Sequence, residues 1–172
     1  TVGKVIHAKD ISTSCGYADD YPVDLEKQLF QAVREGDVEN TRILGERYMD
    51  WMQGYEPKLK NVVRLKAMEF VLWAEHLAYM QGGLSEYRFE DREGYMELLL
   101  SFNSYQELRH WFLKKLDESV CHIARKQQTK TDSVVEQAKQ YIAEHFNKEL
   151  SLEEMAREVG ISPYYLSKLF KE

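Results

Sequence analysis

Residues 151–172 read SLEEMAREVGISPYYLSKLFKE, and the spacing inside this stretch decides the fold. Ser151-Leu-Glu-Glu154 has the form of a capping box, in which Ser accepts from the third helical amide and Glu returns the bond. It opens a short helix to about Glu158. Val159-Gly160-Ile161 is a turn. Ser162-Pro163 starts a second helix, with Ser as N-cap and Pro at the first helical position, where its missing amide donor costs nothing. Ala156, Gly160 and Leu166 stand at offsets of zero, four and ten. The small residue lets two helices cross closely, the glycine permits the turn, and the leucine anchors the second helix on the first. Met155, Val159, Ile161 and Leu169 are expected to complete a miniature core, with Phe170 beside them and Tyr165 ambiguous. This is the spacing of a helix-turn-helix, whose second helix enters the DNA major groove.

Working outward, Val134 to Phe146 is one amphipathic helix with Val135, Ala138, Ile142 and Phe146 inward. Asn147 to Leu150 is a turn. The run AKQYIAEHFNKELSLEEMAREVGISPYYLSKLFKE resembles the first helix-turn-helix of AraC/XylS-type transcription regulators. The resemblance covers Val134 to Glu172 and implies a recognition helix that exposes Tyr164, Ser167 and Lys168. There Lys168 donates to guanine or phosphate, and Tyr164 packs on a thymine methyl or a sugar. Ser162 and Lys171 are phosphate ligands. The family continues into a linking helix and a second unit. The sequence stops at Glu172, so the resemblance implies a truncated DNA-binding domain and weak binding by this chain alone.

The rest of the chain also reads as helices. Asp24 is expected to cap a first helix with Leu25, Leu29, Ala32 and Val33 on one face. Gly36-Asp37 ends it and caps the next, which predicts an antiparallel pair. The second helix runs from about Val38 to Gln53, with Thr41, Leu44, Tyr48 and Met52 inward, and Gly54 stops it. A long third helix follows Pro57 and carries Leu59, Val62, Leu65, Met68, Leu72, Trp73, His76, Leu77 and Met80. Gly82-Gly83 ends it. Ser85 to Gly94 reads as irregular, and Tyr95 to Phe102 as a short apolar helix. Ser104 and Glu107 form a capping box before a helix to about Lys126, with Tyr105, Leu108, Phe112, Leu116, Val120 and Ile123 spaced by threes and fours. Gln127 to Asp132 is polar and reads as a boundary or a brief interruption. Ser133-Val-Val-Glu136 is a further capping box that restarts the helix.

The block from Tyr21 to Asp37 is similar, more distantly, to a helical module that precedes the DNA-binding unit in sensor-coupled AraC-type proteins, including response regulators of the YesN kind. The expected organisation is a tail or linker remnant at 1–20, a regulatory and dimerising helical bundle at 21–128, and the helix-turn-helix at 129–172. The fold class is all-α, a helical bundle followed by a C-terminal helix-turn-helix unit. The best strand candidate, Val2 to Ile6, is too short to found a sheet.

Composition limits the alternatives. The 172 residues are 44% apolar and 30% charged, which excludes a disordered or low-complexity chain. No apolar run approaches the roughly 20 residues of a membrane span, and no signal core opens the chain. The missing initial Met points to a processed or excised piece. Cys15 and Cys121 make no framework, which favours a reducing cytoplasm. The net charge is −6, and Val134 to Glu172 holds five Lys and Arg against seven Asp and Glu. That opposes DNA coating by the whole surface, because phosphate neutralisation supplies most of such affinity.

No catalytic constellation is visible, and no cofactor is expected. Glu107 and His110 form a single ExxH where di-iron bundles need two. Cys121 and His122 are adjacent on a helix, about 100° apart, which is wrong for a dyad. A small-molecule pocket near Trp73, His76 and Trp111 is a weaker idea, set against aromatics that simply fill a core. The alternative function is a non-catalytic helical interaction module without DNA binding by this chain.

Overall fold

The computed structural model describes residues 21–82 and 91–171. The tail at 1–20, with its strand candidate, and residues 83–90 lie outside the described residues. Those that are described form helices, with no strand among them: α1 (Val23–Glu35), α2 (Val38–Gln53), α3 (Glu56–Met80), α4 (Asp91–Ser101), α5 (Tyr105–His145), α6 (Leu152–Glu158) and α7 (Pro163–Leu169).

The α1–α2 corner forms as the sequence predicts. Gly36 adopts φ +71, the left-handed cap, and Asp37 accepts from the Asn40 amide at 3.0 Å. The start of α1 returns to the end of α2, with the Tyr21 and Trp51 rings edge to face at 5.2 Å, so the pair is antiparallel. Asp24 does not cap α1. Pro22 holds that position without a side-chain bond, and Asp24 sits in the first turn, where a carboxylate favours the positive helix end. Residues 91–94, read as irregular, belong to α4.

The core gathers Leu29, Val33, Tyr48, Met49, Phe70 and Phe112, all at most 2% exposed. On α3 the inward stripe is Val63, Ala67, Phe70, Val71, Ala74 and Ala78. Val62, Leu65 and Met80 are 57%, 55% and 68% exposed, so the broad apolar coverage did not specify the phase of this helix. The Leu59 side chain lies outside the described residues. Gly45 lets α2 approach α5, because a Cβ there would meet the Cδ atoms of Leu113 and Leu116 at 3.2 Å. Arg109 binds Asp50 at 2.5 Å and also pairs with Glu46, which fastens the same contact from its edge.

The chief difference from expectation lies in α5. It is one helix of 41 residues and passes through 127–132 without a break. A polar stretch reports a lack of burial, and backbone hydrogen bonding can continue through it. Ser104 does cap α5, accepting from Glu107 N at 3.3 Å, while the Glu107 carboxylate reaches the amide of Asn103 rather than that of Ser104. Ser133 caps nothing, since it lies inside the helix. The chain therefore has two cores strung on one helix. Ala138, Ala156 and Leu166 form the second.

Two changes at the α1–α2 corner follow. Gly36→Ala strains a left-handed residue by about 1–2 kcal/mol and drives its Cβ to 3.1 Å from Ala124 Cα. The urea midpoint should fall clearly; an unchanged midpoint would refute the close approach. The Asn40 amide and side chain hold the Asp37 carboxyl below its ordinary 3.8. Its contribution is therefore complete above that value and lost as the pH falls through the lower, folded value. Asp37→Asn keeps an acceptor without a titration, so its stability should fall less steeply on acidification, as read from urea midpoints at pH 7 and pH 3.

Candidate nucleic-acid interface

The helix-turn-helix is built by its caps. Ser151 accepts from Glu154 N at 3.1 Å, and Ser151 N donates to the Glu154 carboxylate at 3.4 Å, so the box closes in both directions. Gly160 takes φ +71, and Ile161 N reaches back to Ala156 O at 2.9 Å. Ser162 accepts from Tyr165 N at 3.2 Å, with Pro163 at the first helical position. Ala156 and Leu166 are fully buried against Ala138, and Leu152, Met155, Val159 and Ile161 close around them. Leu169 is half-buried.

Two aromatics read as inward are not. Phe146 is 74% exposed just beyond α5, and Phe170 is 46% exposed beyond α7. Helical spacing alone extended each stripe one turn past the last helix it could pack against. Tyr165, ambiguous in the sequence, is 41% exposed.

Leu166 fixes the inner side of α7, so residues two before and two after it point outward. Tyr164 is 82% exposed, and Lys168 is exposed one turn further on. Lys171 follows on the same side, beyond the helix end, and is also exposed. Ser167 is half-buried at the flank. Ser162 is exposed, and its hydroxyl proton stays available because the oxygen serves the cap as acceptor. The surface thus offers an aromatic face, an ammonium and a hydroxyl donor within two turns, with glutamates on neighbouring α6. Sequence reading missed a groove of about 800 Å³ between α5 and the α6–α7 turn, lined by Lys130, Val134, Gln137, Ile161 and Tyr165 among others. None of these residue types signals a groove in advance.

The bundle's polar clusters act as latches. Tyr21 donates to Glu26 at 2.6 Å, Lys66 pairs with Glu26 at 3.0 Å, and burial pushes the Tyr48 hydroxyl beside them up to about 12. Burial opposes the Lys66 charge, but the bond and charge of Glu26 outweigh it and hold its pKa above the usual value. Tyr95 of α4 donates to Glu75 at 2.6 Å, and burial with that bond pushes it up to about 12. Trp73 packs against Phe30, Trp111 packs against Tyr95, and His76 is exposed. Glu107 is occupied at the α5 cap, and Cys121 Sγ lies 4.0 Å from Asp117. Among the described residues no group of three or more His, Cys, Asp or Glu side chains is placed to hold a metal, and no helix is long and apolar enough to cross a membrane.

Residues 142–172 match the family described as bacterial regulatory helix-turn-helix proteins, AraC family. The chain is also 19% identical over 171 residues to a Bacillus subtilis (strain 168) protein described as the uncharacterized HTH-type transcriptional regulator YtdP. That match takes in 98% of this chain and 22% of the relative, so the chain spans under a quarter of the relative's length. No solved structure matches it. The unit built around Leu166 thus matches an AraC-family helix-turn-helix.

Leu166→Ala should cost about 2–5 kcal/mol locally, a large share of so small a core. Amide exchange should then quicken across residues 152–170 while protection at Tyr48 and Phe112 persists. Equal loss in both regions would show that the two cores are one cooperative unit.

Proposed function

We propose that this chain regulates transcription by reading a DNA site with α7. Residues 21–128 serve as the regulatory and dimerising module, and residues 129–172 as the DNA-reading unit. The observation that carries the reading is the paired exposure of Tyr164 and Lys168 on the face of α7 opposite its buried anchor. Tyr164 packs on a thymine methyl or sugar. Lys168 donates to guanine acceptors or to phosphate. Ser167 contacts the flank, and Ser162 and Lys171 hold phosphates that fix the register. A homodimer formed through the bundle would set the spacing of two recognition helices along the duplex. In a sensor-coupled regulator of the YesN kind the bundle would relay the signal, acting on DNA in the bacterial cytoplasm without catalysis. The acidic balance of the chain places the burden of affinity on these few contacts, and two lysines on phosphate give a shallow salt slope of about −2.

The test is selection of double-stranded fragments from a random pool by the chain, followed by titration. Lys168→Ala should cost about 1–3 kcal/mol on the selected site and relax preference at one position. Lys171→Ala should weaken all sequences alike and lower the salt slope by about 1. Enrichment of no fragment, or equal binding after Lys168→Ala, would reject the assignment and favour a module that binds protein alone.

A further inference from the structure

Helix α5 is buried towards both ends and has no buried residue between Ile123, its last in the bundle, and Ala138. The bundle's support ends level with Gln127, whose side-chain oxygen and the Ala124 backbone crowd the α1–α2 corner at Gly36. From Thr129 to Val134 the helix only borders the open groove, whose far wall is Val159, Gly160, Ile161 and Tyr165. Residues 128–130, 132 and 133 are exposed and Thr131 half-buried. Their side-chain hydrogen bonds stay inside the helix: Gln128 to Asp132 at 2.8 Å, Thr129 to the Arg125 carbonyl at 2.9 Å, and Gln137 to Ser133 at 3.3 Å. A hydroxyl bonded back to the preceding turn bends a helix and weakens it. Thr, Asp and Ser are also poor helix formers, because they offer the backbone competing bonds.

The same stretch carries an unused start signal. Ser133-Val134-Val135-Glu136 repeats the S-x-x-E pattern that caps α5 at Ser104 and α6 at Ser151. In the continuous helix Ser133 instead accepts from Gln137, and Glu136 lies 3.9 Å from Lys139. If residues 128–132 unwind, Ser133 is free to cap the downstream half as Ser151 caps α6. The break gives up about one and a half poorly held turns and gains a complete N-cap.

We propose that α5 is a two-state element, either continuous from Tyr105 to His145 or broken at 128–132 with Ser133 capping the helix that bears the DNA-reading unit. The continuous state fixes the direction of α7 relative to the bundle. The broken state releases it. Any event in the bundle that loads or unloads the end of α5 near Gln127 then reaches α7 through this equilibrium. What the switch controls rests on the DNA-binding reading; the switch itself is measured without DNA, so the two fail separately.

The experiment is a spin-label distance measurement on the whole chain, with Cys15→Ser and Cys121→Ser as background and labels at Arg47→Cys on α2 and Glu153→Cys on α6. Two components are expected, one narrow and one broad. Ser133→Ala removes the cap and should lower the broad-to-narrow ratio about fivefold, the ratio that one lost N-cap represents. Ser133→Asp keeps a capping side chain and should leave the broad component at least as large as in the parent. A single narrow distribution overturns the proposal. So does a broad component indifferent to Ser133→Ala, or one reduced equally by Ser133→Asp.

Discussion

One helix serves two cores. α5 contributes Leu108, Phe112, Leu116 and Ile123 to the bundle, and then Ala138 to the helix-turn-helix. At 1.5 Å per residue it is about 60 Å long, far more than either core needs. It is the element that the two halves share. Direction is transmitted only as well as the helix resists bending, and its middle is the part that packing supports least.

The two cores rest on different physics. The bundle buries large side chains in bulk, with Tyr48, Phe70 and Phe112 at its centre, and fastens its helices with Arg109, Lys66 and Tyr95 at the edges. The helix-turn-helix has three fully buried side chains, two of them alanines. Close approach and capping substitute for volume there. Both of its helices have only 7 residues, a length that is marginal in isolation. Its caps at Ser151 and Ser162 and the left-handed turn at Gly160 therefore carry an unusual share of its stability. The economy leaves the outer face of α7 free for Tyr164 and Lys168.

Legibility in the sequence followed how local each feature was. The corner at Gly36-Asp37, the caps at Ser104, Ser151 and Ser162, and the anchor at Leu166 were all readable, because each is set within a few residues. Phe146 and Phe170 misled, since periodicity does not say where a partner surface ends. Val62, Leu65 and Met80 misled for a related reason. A helix apolar all round leaves its phase to whichever neighbours arrive, and here the alanines of α3 were chosen. The family resemblance implied an exposed face of Tyr164, Ser167 and Lys168; Tyr164 and Lys168 are exposed there, and Ser167 is half-buried.

By itself the sequence determined the all-α class, the helix-turn-helix at its C-terminal end and the face of α7 that is buried. Those follow from backbone preferences and from side chains within one or two turns of each other. Only the tertiary structure decided that the polar run at 127–132 continues a helix, that Gly45 brings α2 onto α5, and that Ser133 lies inside α5 rather than at its start. Each of those is a choice between two locally acceptable states. Contacts from residues distant in sequence tip that balance: the bundle holds one end of α5, and Ala156 and Leu166 hold the other.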